Sequence, residues 1–287
     1  MKQYVPFLAA ALGAITIFFS GCSGAPPAAP QTAPAAAMVL DRIEASGPDE
    51  VTLRFFVHVS NPGTEELVMR LERSRVFVNG KELSSGYHSG AEVIRAAPGA
   101  EEKAAALCTL SLKNLDPSLP LETEELDTKT IMEFAFAFDG GGAGSVVTAE
   151  DASFPRIREP LFSIVSIAIM QAELINTRLK VKIRIENPNP FPAAFSSLSY
   201  ELYGHGRFWA GGSETNLCTI PAKGAAEEEL FLVMNFINMQ RNLLDQVIAM
   251  RRVRYRFTGT AEIGTGVEYL PSFTSAFDIQ GNSEVLR

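Results

Sequence analysis

The residues best suited to chemistry are the three histidines and three cysteines, and their spacing predicts no catalytic or metal site. His58, His88 and His205 are far apart and do not have metal-ligand spacing. The sequence also has no serine in a nucleophile-elbow pattern. The glycine run at 140–144 is not followed by the Lys-Ser/Thr pair of a phosphate-binding loop, and it indicates a hairpin. We therefore expect a protein that is not an enzyme and has no metal or cofactor.

One cysteine, Cys22, has a predicted chemical role because of the segment before it. Lys2 is followed by a mainly apolar run at 5–19, which is short for a membrane span. Small residues lie directly before Cys22. The segment resembles the bacterial lipoprotein signal, which implies removal of residues 1–21 and lipidation of Cys22. An ordinary cleaved signal peptide is the alternative.

Residues 22–37 are predicted to be a tether between a membrane and the folded body. They are rich in Pro and Ala and carry no charge, which is typical of an extended spacer. Two or three acyl chains give a stable anchor, since each buried methylene contributes about 0.8 kcal/mol. Ser23 after the lipidated position resembles the outer-membrane sorting signal of bacterial lipoproteins. We expect an exported lipoprotein at the outer membrane or the periplasmic face.

The remaining sequence repeats at an interval of 126 residues. The run LRFFVHVSNPG at 53–63 returns as LKVKIRIENPN at 179–189. The other markers that recur in register are Gly80 with Gly206 and Gly86 with Gly212. The repeat predicts two units, at 38–156 and 161–281.

Each unit is predicted to be a β-sandwich with one short helix. The alternation of apolar and polar residues at 179–186 is typical of a strand with one buried face. Many short strands between Gly and Pro residues favour a sandwich. Helices are predicted at 118–131 and 238–252, where acidic residues come early or basic residues come late.

The second unit contains a motif that resembles the late embryogenesis abundant type 2 family, whose module is also called the WHy domain. The motif is Asn187-Pro188-Asn189, a Phe-Pro step, a strand at 200–206 and paired glycines at 211–212. The residues assigned to the motif, all with a structural role, are Asn61, Pro62, Asn187, Pro188, Asn189, Gly206 and Gly212. The first unit departs from the motif because Gly63 replaces the second asparagine.

The resemblance implies an immunoglobulin- or fibronectin-like sandwich of about seven strands with one helix and no catalytic residues. It also implies a role in dehydration and other stress. The resulting hypothesis is a lipid-anchored envelope protein that binds proteins or membranes in a chaperone-like manner. The alternative is a scaffold or assembly factor that holds one specific envelope partner.

The net charge and the remaining side chains limit the classes of binding partner that we expect. A formal net charge of −8 argues against nucleic acid. If their strands are neighbours, a basic surface for phospholipid headgroups or an acidic partner is formed by Lys180, Lys182, Arg184, Arg254 and Arg256. A solvated sheet face with paired carboxylates is the alternative. We expect Trp209 to lie in the core. We expect Cys108 and Cys218 to be buried free thiols, and an interdomain disulfide between them is the alternative.

The lipid anchor gives the first testable prediction. Cys22→Ala removes the only sulfur that the signal offers for acylation, so we expect an unlipidated precursor or a soluble export product. Intact mass and detergent partitioning measure this change. An unchanged lipid mass in the Cys22→Ala protein would contradict the assignment.

Overall fold

The described structure is all-β. It is a computed structural model that describes residues 32–83, 87–113, 123–171, 177–234 and 252–286. These residues form sixteen strands and no helix, and therefore no helix that is long and apolar enough to cross a membrane. The strands are β1 Ala35–Gly47, β2 Glu50–Ser60, β3 Leu67–Val78, β4 Lys81–Glu82, β5 Tyr87–Gly90, β6 Val93–Ala96, β7 Glu101–Ser111, β8 Glu125–Phe138, β9 Ala143–Pro155, β10 Leu161–Gln171, β11 Thr177–Glu186, β12 Ala193–Gly204, β13 Arg207–Ile220, β14 Ala225–Met234, β15 Arg252–Val267 and β16 Leu270–Leu286.

Strands β1 to β9, here called the first unit, form two sheets around one core. One sheet has the order β1-β2-β7-β5, and the other has β4-β3-β8-β9 with β6 paired to β3. In β2 every second residue faces inward, and Leu53, Phe55 and Val57 are fully buried. They pack in the same cluster as Met132 and Phe134 of the opposite sheet. Alternation along the strands thus places the apolar residues between the sheets.

Strands β10 to β16, the second unit, have the corresponding pairings and a separate core. Their order is β13-β12-β15-β16-β10-β11-β14. Long β13 stands where the first unit has the short strands β4, β5 and β6. The end of β16 also pairs in parallel with β10, at Ile167 with Val285 and Ala168 with Leu286. The predicted all-β fold with sandwich-like sheets is confirmed.

The predicted helix at 118–131 is wrong wherever the structure describes it. Residues 125–131 belong to β8, because Leu126, Thr128 and Thr130 alternate inward with the two-residue period of a strand. The early acidic residues suggested a helix start, but sheet pairing on both sides of β8 outweighs that local preference. Residues 118–122 and 238–251 lie outside the described residues. Arg252, the last residue of the second predicted helix, begins β15.

Strand β1 begins inside the segment that is predicted to be a tether. Ala35 starts β1 and pairs with Ser60 at the end of β2. Residues 35–37 are therefore strand, and Ala36 packs against the core of the first unit. The predicted tether is too uniform in composition to reveal where pairing begins.

The two units meet end to end. The Tyr269 hydroxyl, in the turn between β15 and β16, donates a hydrogen bond to the Pro155 carbonyl oxygen. The Tyr269 ring also lies edge-on to Phe154, with 5.6 Å between centroids. Ala45, near the end of β1, packs against both cores. The start of β1 at Ala35 consequently lies at the end of the first unit away from this junction.

Candidate functional site

The Asn-Pro step of the first unit is a buried structural corner. Asn61 is only 1% exposed, and its side-chain Nδ2 donates to the carbonyl oxygens of Glu65 at 2.8 Å and of Ala96 and Ala97 at 3.0 Å. Its Oδ1 accepts a hydrogen bond from the Gly63 N–H at 3.0 Å. One amide therefore joins the end of β2, the following turn and the loop after β6.

The second unit builds the same corner at Asn187. Its Nδ2 donates to the carbonyl oxygens of Phe191 at 2.7 Å, Ile220 at 3.3 Å and Pro221 at 3.1 Å. Its Oδ1 accepts from the Asn189 N–H at 3.0 Å. We call these two arrangements the asparagine corners. A proline after each asparagine suits the end of a strand, because proline has no N–H to donate to the neighbouring strand.

Asn189, the second asparagine of the motif, holds the linker between the units. Its Oδ1 accepts from the Arg158 N–H at 2.7 Å, and its Nδ2 donates to the Arg158 carbonyl oxygen at 2.9 Å. Nδ2 also lies 3.1 Å from the Asn187 Oδ1. Gly63 occupies this position in the first unit and has no side chain to make such bonds. The departure from Asn-Pro-Asn thus removes a clamp but leaves the corner intact.

The motif glycines serve a turn and a close approach. His205 and Gly206 both have positive φ, 49° and 78°, between β12 and β13. Asn79 and Gly80 repeat this pair in the first unit with φ of 49° and 80°. A Cβ added at Gly212 would lie 2.7 Å from the Tyr200 hydroxyl oxygen.

The structure does not bring the five predicted basic residues into one surface. Strands β10 and β16 separate β11, with Lys180, Lys182 and Arg184, from β15, with Arg254 and Arg256.

Carboxylates neutralise most of these basic residues. The ion pairs are Lys180 with Glu229 at 3.1 Å, Lys182 with Glu227 at 2.6 Å, Arg184 with Glu186 at 2.8 Å and Arg256 with Asp278 at 2.6 Å. The contact with Glu227 raises the pKa of Lys182, and the same contact lowers the pKa of Glu227. The middle of β11 is therefore a solvated, charge-balanced face.

A different set of residues, which the sequence analysis missed, gathers at the end of the second unit away from the junction. We call it the distal end. Its exposed apolar side chains are Met170, Phe208, Phe231, Val233 and Leu286. Its exposed arginines without an ion pair to the described residues are Arg178, Arg207 and Arg254. The signal in the sequence was the alternation of β14, which turns Leu230, Leu232 and Met234 inward and leaves Phe231 and Val233 outside.

Of the remaining reactive groups, Cys108 is buried as predicted, whereas Cys218 is only partly buried against the core of the second unit. Cys108 is fully buried, and burial raises its pKa to about 12. Burial also raises the pKa of Cys218, to about 11, and both cysteines are free thiols. Both are therefore neutral at physiological pH and poor nucleophiles. Trp209 is 5% exposed and lies in the core as predicted. Cys22 lies outside the described residues.

Ligand sites among the described residues are limited. No group of three or more His, Cys, Asp or Glu residues in this part of the chain has an arrangement that could hold a metal ion. A hollow of about 640 Å³ lies on the first unit, lined by Phe77, Lys129, Ile131 and Asp151 among others. Its buried Thr128 hydroxyl already donates to the Ala152 carbonyl oxygen at 3.0 Å. This hydroxyl therefore offers no free hydrogen-bond donor to a ligand in the hollow.

Comparison with protein families adds information on the second unit. Residues 182–272 match the family model described as late embryogenesis abundant protein. The match includes the asparagine corner at Asn187 and supports the resemblance inferred from the motif. No curated protein shows significant similarity to this chain.

Several solved structures are similar at low identity. A protein from Archaeoglobus fulgidus is 16% identical over 42% of this chain and 97% of its own, with a TM-score of 0.29. The periplasmic chaperone SfaE is 11% identical over 88% of this chain and 100% of its own, with a TM-score of 0.26. A Bacteroides uniformis beta-glucuronidase is 11% identical over 79% of this chain and 26% of its own, with a TM-score of 0.27. Similarity at this level assigns no function.

The corner geometry predicts a large effect of one substitution. Asn187→Ala removes the amide bonds to three carbonyl oxygens and to the Asn189 N–H, and only the Pro221 oxygen is known to keep another donor, the Gly224 N–H at 3.0 Å. We therefore expect the free energy of unfolding to fall by about 3 kcal/mol. Trp209 is the single tryptophan and is buried in the same unit, so its fluorescence during urea unfolding reports this loss.

The matched control is Asn282→Ala, at an exposed position of β16. We expect it to change the free energy of unfolding by less than about 0.5 kcal/mol. Equal effects of the two substitutions would show that the corner does not stabilise the second unit.

Proposed function

We propose that this protein is a non-catalytic, lipid-anchored envelope protein that protects unfolding proteins or membranes under stress. The observation that carries the proposal is the distal end, where Phe231 and Val233 are 65% and 56% exposed on one strand. Exposed apolar side chains that are clustered in this way are typical of binding surfaces. The family match over residues 182–272 supports the association with stress.

The absence of a catalytic role is part of this proposal. The motif asparagines make structural hydrogen bonds, and Lys180, Lys182 and Arg184 of β11 are paired with carboxylates. The two described cysteines are held as neutral thiols by burial. These side chains are thus committed to stability, which leaves surface binding as the activity that the geometry supports.

The proposal includes the finer assignments of fold and location. Each unit is an immunoglobulin- or fibronectin-like domain with two sets of paired strands. The set β1-β2-β7 of the first unit corresponds to β10-β11-β14 of the second, and β3-β8-β9 corresponds to β12-β15-β16. Cys22 carries the lipid, and the folded body faces the periplasm from the outer membrane. The signal-like segment and the tether composition support this arrangement.

A second candidate is a scaffold or assembly factor that holds one envelope partner. The junction favours it, because Asn189 binds the linker at Arg158 and Lys223 pairs with Glu124 across the units at 3.1 Å. A fixed position of one unit relative to the other suits a scaffold better than a general protective protein.

Suppression of aggregation separates the two candidates. We expect the fragment 32–287, which keeps all of β1, to reduce heat- or drying-induced aggregation of a model enzyme at near-stoichiometric ratio. An inert globular protein at equal mass is the control, and light scattering and recovered activity are the measurements. Protection no better than the control would contradict the protective role and favour the scaffold. Crosslinking of the native lipoprotein would then capture the scaffold's partner.

A further inference from the structure

We propose that one outer face of the second unit binds a neutral glycan chain. The face belongs to β13, β12, β15 and β16, which are neighbours in that order. We call it the hydroxyl face, because each of these strands contributes serine or threonine side chains to it. It shares only Phe208 with the distal end. Glycan binding here goes beyond the proposed function, because it requires neither the lipid on Cys22 nor binding of a protein client.

The register of the four strands places the hydroxyl side chains next to one another. Ser199 pairs with Ser213 on one side and with Thr260 on the other. Thr260 then pairs with Ala276 of β16. Paired residues share a face of the sheet. The serines and threonines of the hydroxyl face are Ser197, Ser199, Ser213, Thr215, Thr258, Thr260 and Thr274.

These hydroxyls are available to a ligand. Ser199, Ser213 and Thr260 are exposed. Their side chains form no hydrogen bond within the described part of the chain. A hydroxyl both donates and accepts hydrogen bonds, and so does each hydroxyl of a sugar. Small hydroxyl side chains on strands about 4.8 Å apart therefore offer a level surface that can bond several hydroxyls of one glycan chain.

An exposed aromatic ring stands at one end of the hydroxyl face. Phe208 of β13 is 48% exposed and pairs with Tyr203 of β12. The two rings meet edge to face, with 5.6 Å between centroids. The Tyr203 hydroxyl donates a hydrogen bond to Glu201 at 2.6 Å, which fixes the ring that supports Phe208. An aromatic ring in this position can pack against the C–H groups of a sugar ring, which form its apolar side.

The charged residues of the hydroxyl face favour a neutral ligand. Arg256 and Asp278 neutralise each other through two hydrogen bonds, of 2.8 and 2.6 Å. Glu201 and Glu262 leave the face with negative charge, on a protein whose formal net charge is −8. Arg254 lies one row beyond the aromatic end of the face. Carboxylates accept strong hydrogen bonds from hydroxyl groups and repel a polyanion, so the charges suit a neutral, hydroxyl-rich polymer.

The corresponding sheet of the first unit shows that the fold does not require these hydroxyls. Strands β3, β8 and β9 stand there in place of β12, β15 and β16. Both sheets bury apolar residues on their inner faces. The outer face of the first unit instead carries Arg70, Arg73, Arg75 and Lys129. The hydroxyls are therefore a property of the second unit rather than of the sandwich.

A lipid or an apolar protein segment fits the hydroxyl face less well than a glycan. Either partner would remove water from the hydroxyls and from Glu262 without offering hydrogen bonds in return. A glycan replaces that water with its own hydroxyl groups, and bridging waters complete the contact. Hydrogen-bond satisfaction thus favours the glycan.

The test measures binding of the full chain, purified in a neutral detergent, to insoluble polysaccharides. Cellulose and chitin are the neutral probes, and alginate beads are the anionic probe. We expect binding to a neutral glycan and none to alginate, with less than about a twofold change when salt is raised, because the ligand forms no ion pair. Ser199→Ala with Thr260→Val should weaken this binding about tenfold, and Phe208→Ala about fivefold.

Matched variants remove the same groups from other surfaces. Ser145→Ala with Ser153→Ala removes two exposed hydroxyls from β9 of the first unit. Phe231→Ala removes an aromatic ring that is 65% exposed on β14. We expect wild-type glycan binding from both. Circular dichroism and urea unfolding show that every variant keeps its fold.

The outcomes separate this inference from the proposed function. Binding to neither cellulose nor chitin, binding to alginate alone, or equal binding by the hydroxyl-face variants and their controls would overturn the inference. Glycan binding that depends on Ser199, Thr260 and Phe208 would support it, whether or not the chain suppresses aggregation. Suppression of aggregation without glycan binding would overturn this inference and leave the proposed function standing.

Discussion

The rest of the structure depends on a buried asparagine side chain that has all of its hydrogen bonds satisfied. An amide that loses water without partners destabilises a fold, whereas one whose donors and acceptor are all bonded fixes the segments it joins. Asn61 and Asn187 each join a strand end, a turn and a loop from the other side of the sandwich. A one-residue slip of β2 or β11 would leave that amide unbonded in the core and would turn the inward face outward. The corner and the alternation thus specify the same register.

The second unit extends this corner into a connection between the units. Asn189 lies next to the Asn187 amide and binds both the N–H and the carbonyl oxygen of Arg158. The linker is thereby fixed where β10 is about to begin, and Tyr269 and Lys223 add contacts to the first unit. These contacts set the direction in which the distal end points. A single side chain that the first unit lacks is consequently part of what orients the proposed binding surface.

Local patterns in the sequence predicted what local forces determine. Alternation identified β2 and β11, and the Asn-Pro step identified the end of each strand, because both signals act within a few residues. The segment 125–131 was wrongly predicted as helix, since its strand form depends on pairing with β3 and β9, which are distant in sequence. The basic surface was proposed on strands whose separation by β10 and β16 only the sheet order reveals. The distal end was missed for the same reason, because only the strand pairing brings Arg178, Phe231 and Leu286 to the same end of the sheet.

Cleavage of the linker by trypsin tests most directly whether the Asn189 clamp joins the two units. Trypsin cuts after Arg156 and Arg158, which lie in the linker, so the rate at those bonds reports how often the linker leaves the clamp. We expect slow cleavage in the wild-type protein and in Asn282→Gly, and cleavage about tenfold faster in Asn189→Gly, whose side chain can no longer bind Arg158. Rapid cleavage of the wild-type linker, or equal rates in the two variants, would contradict the account.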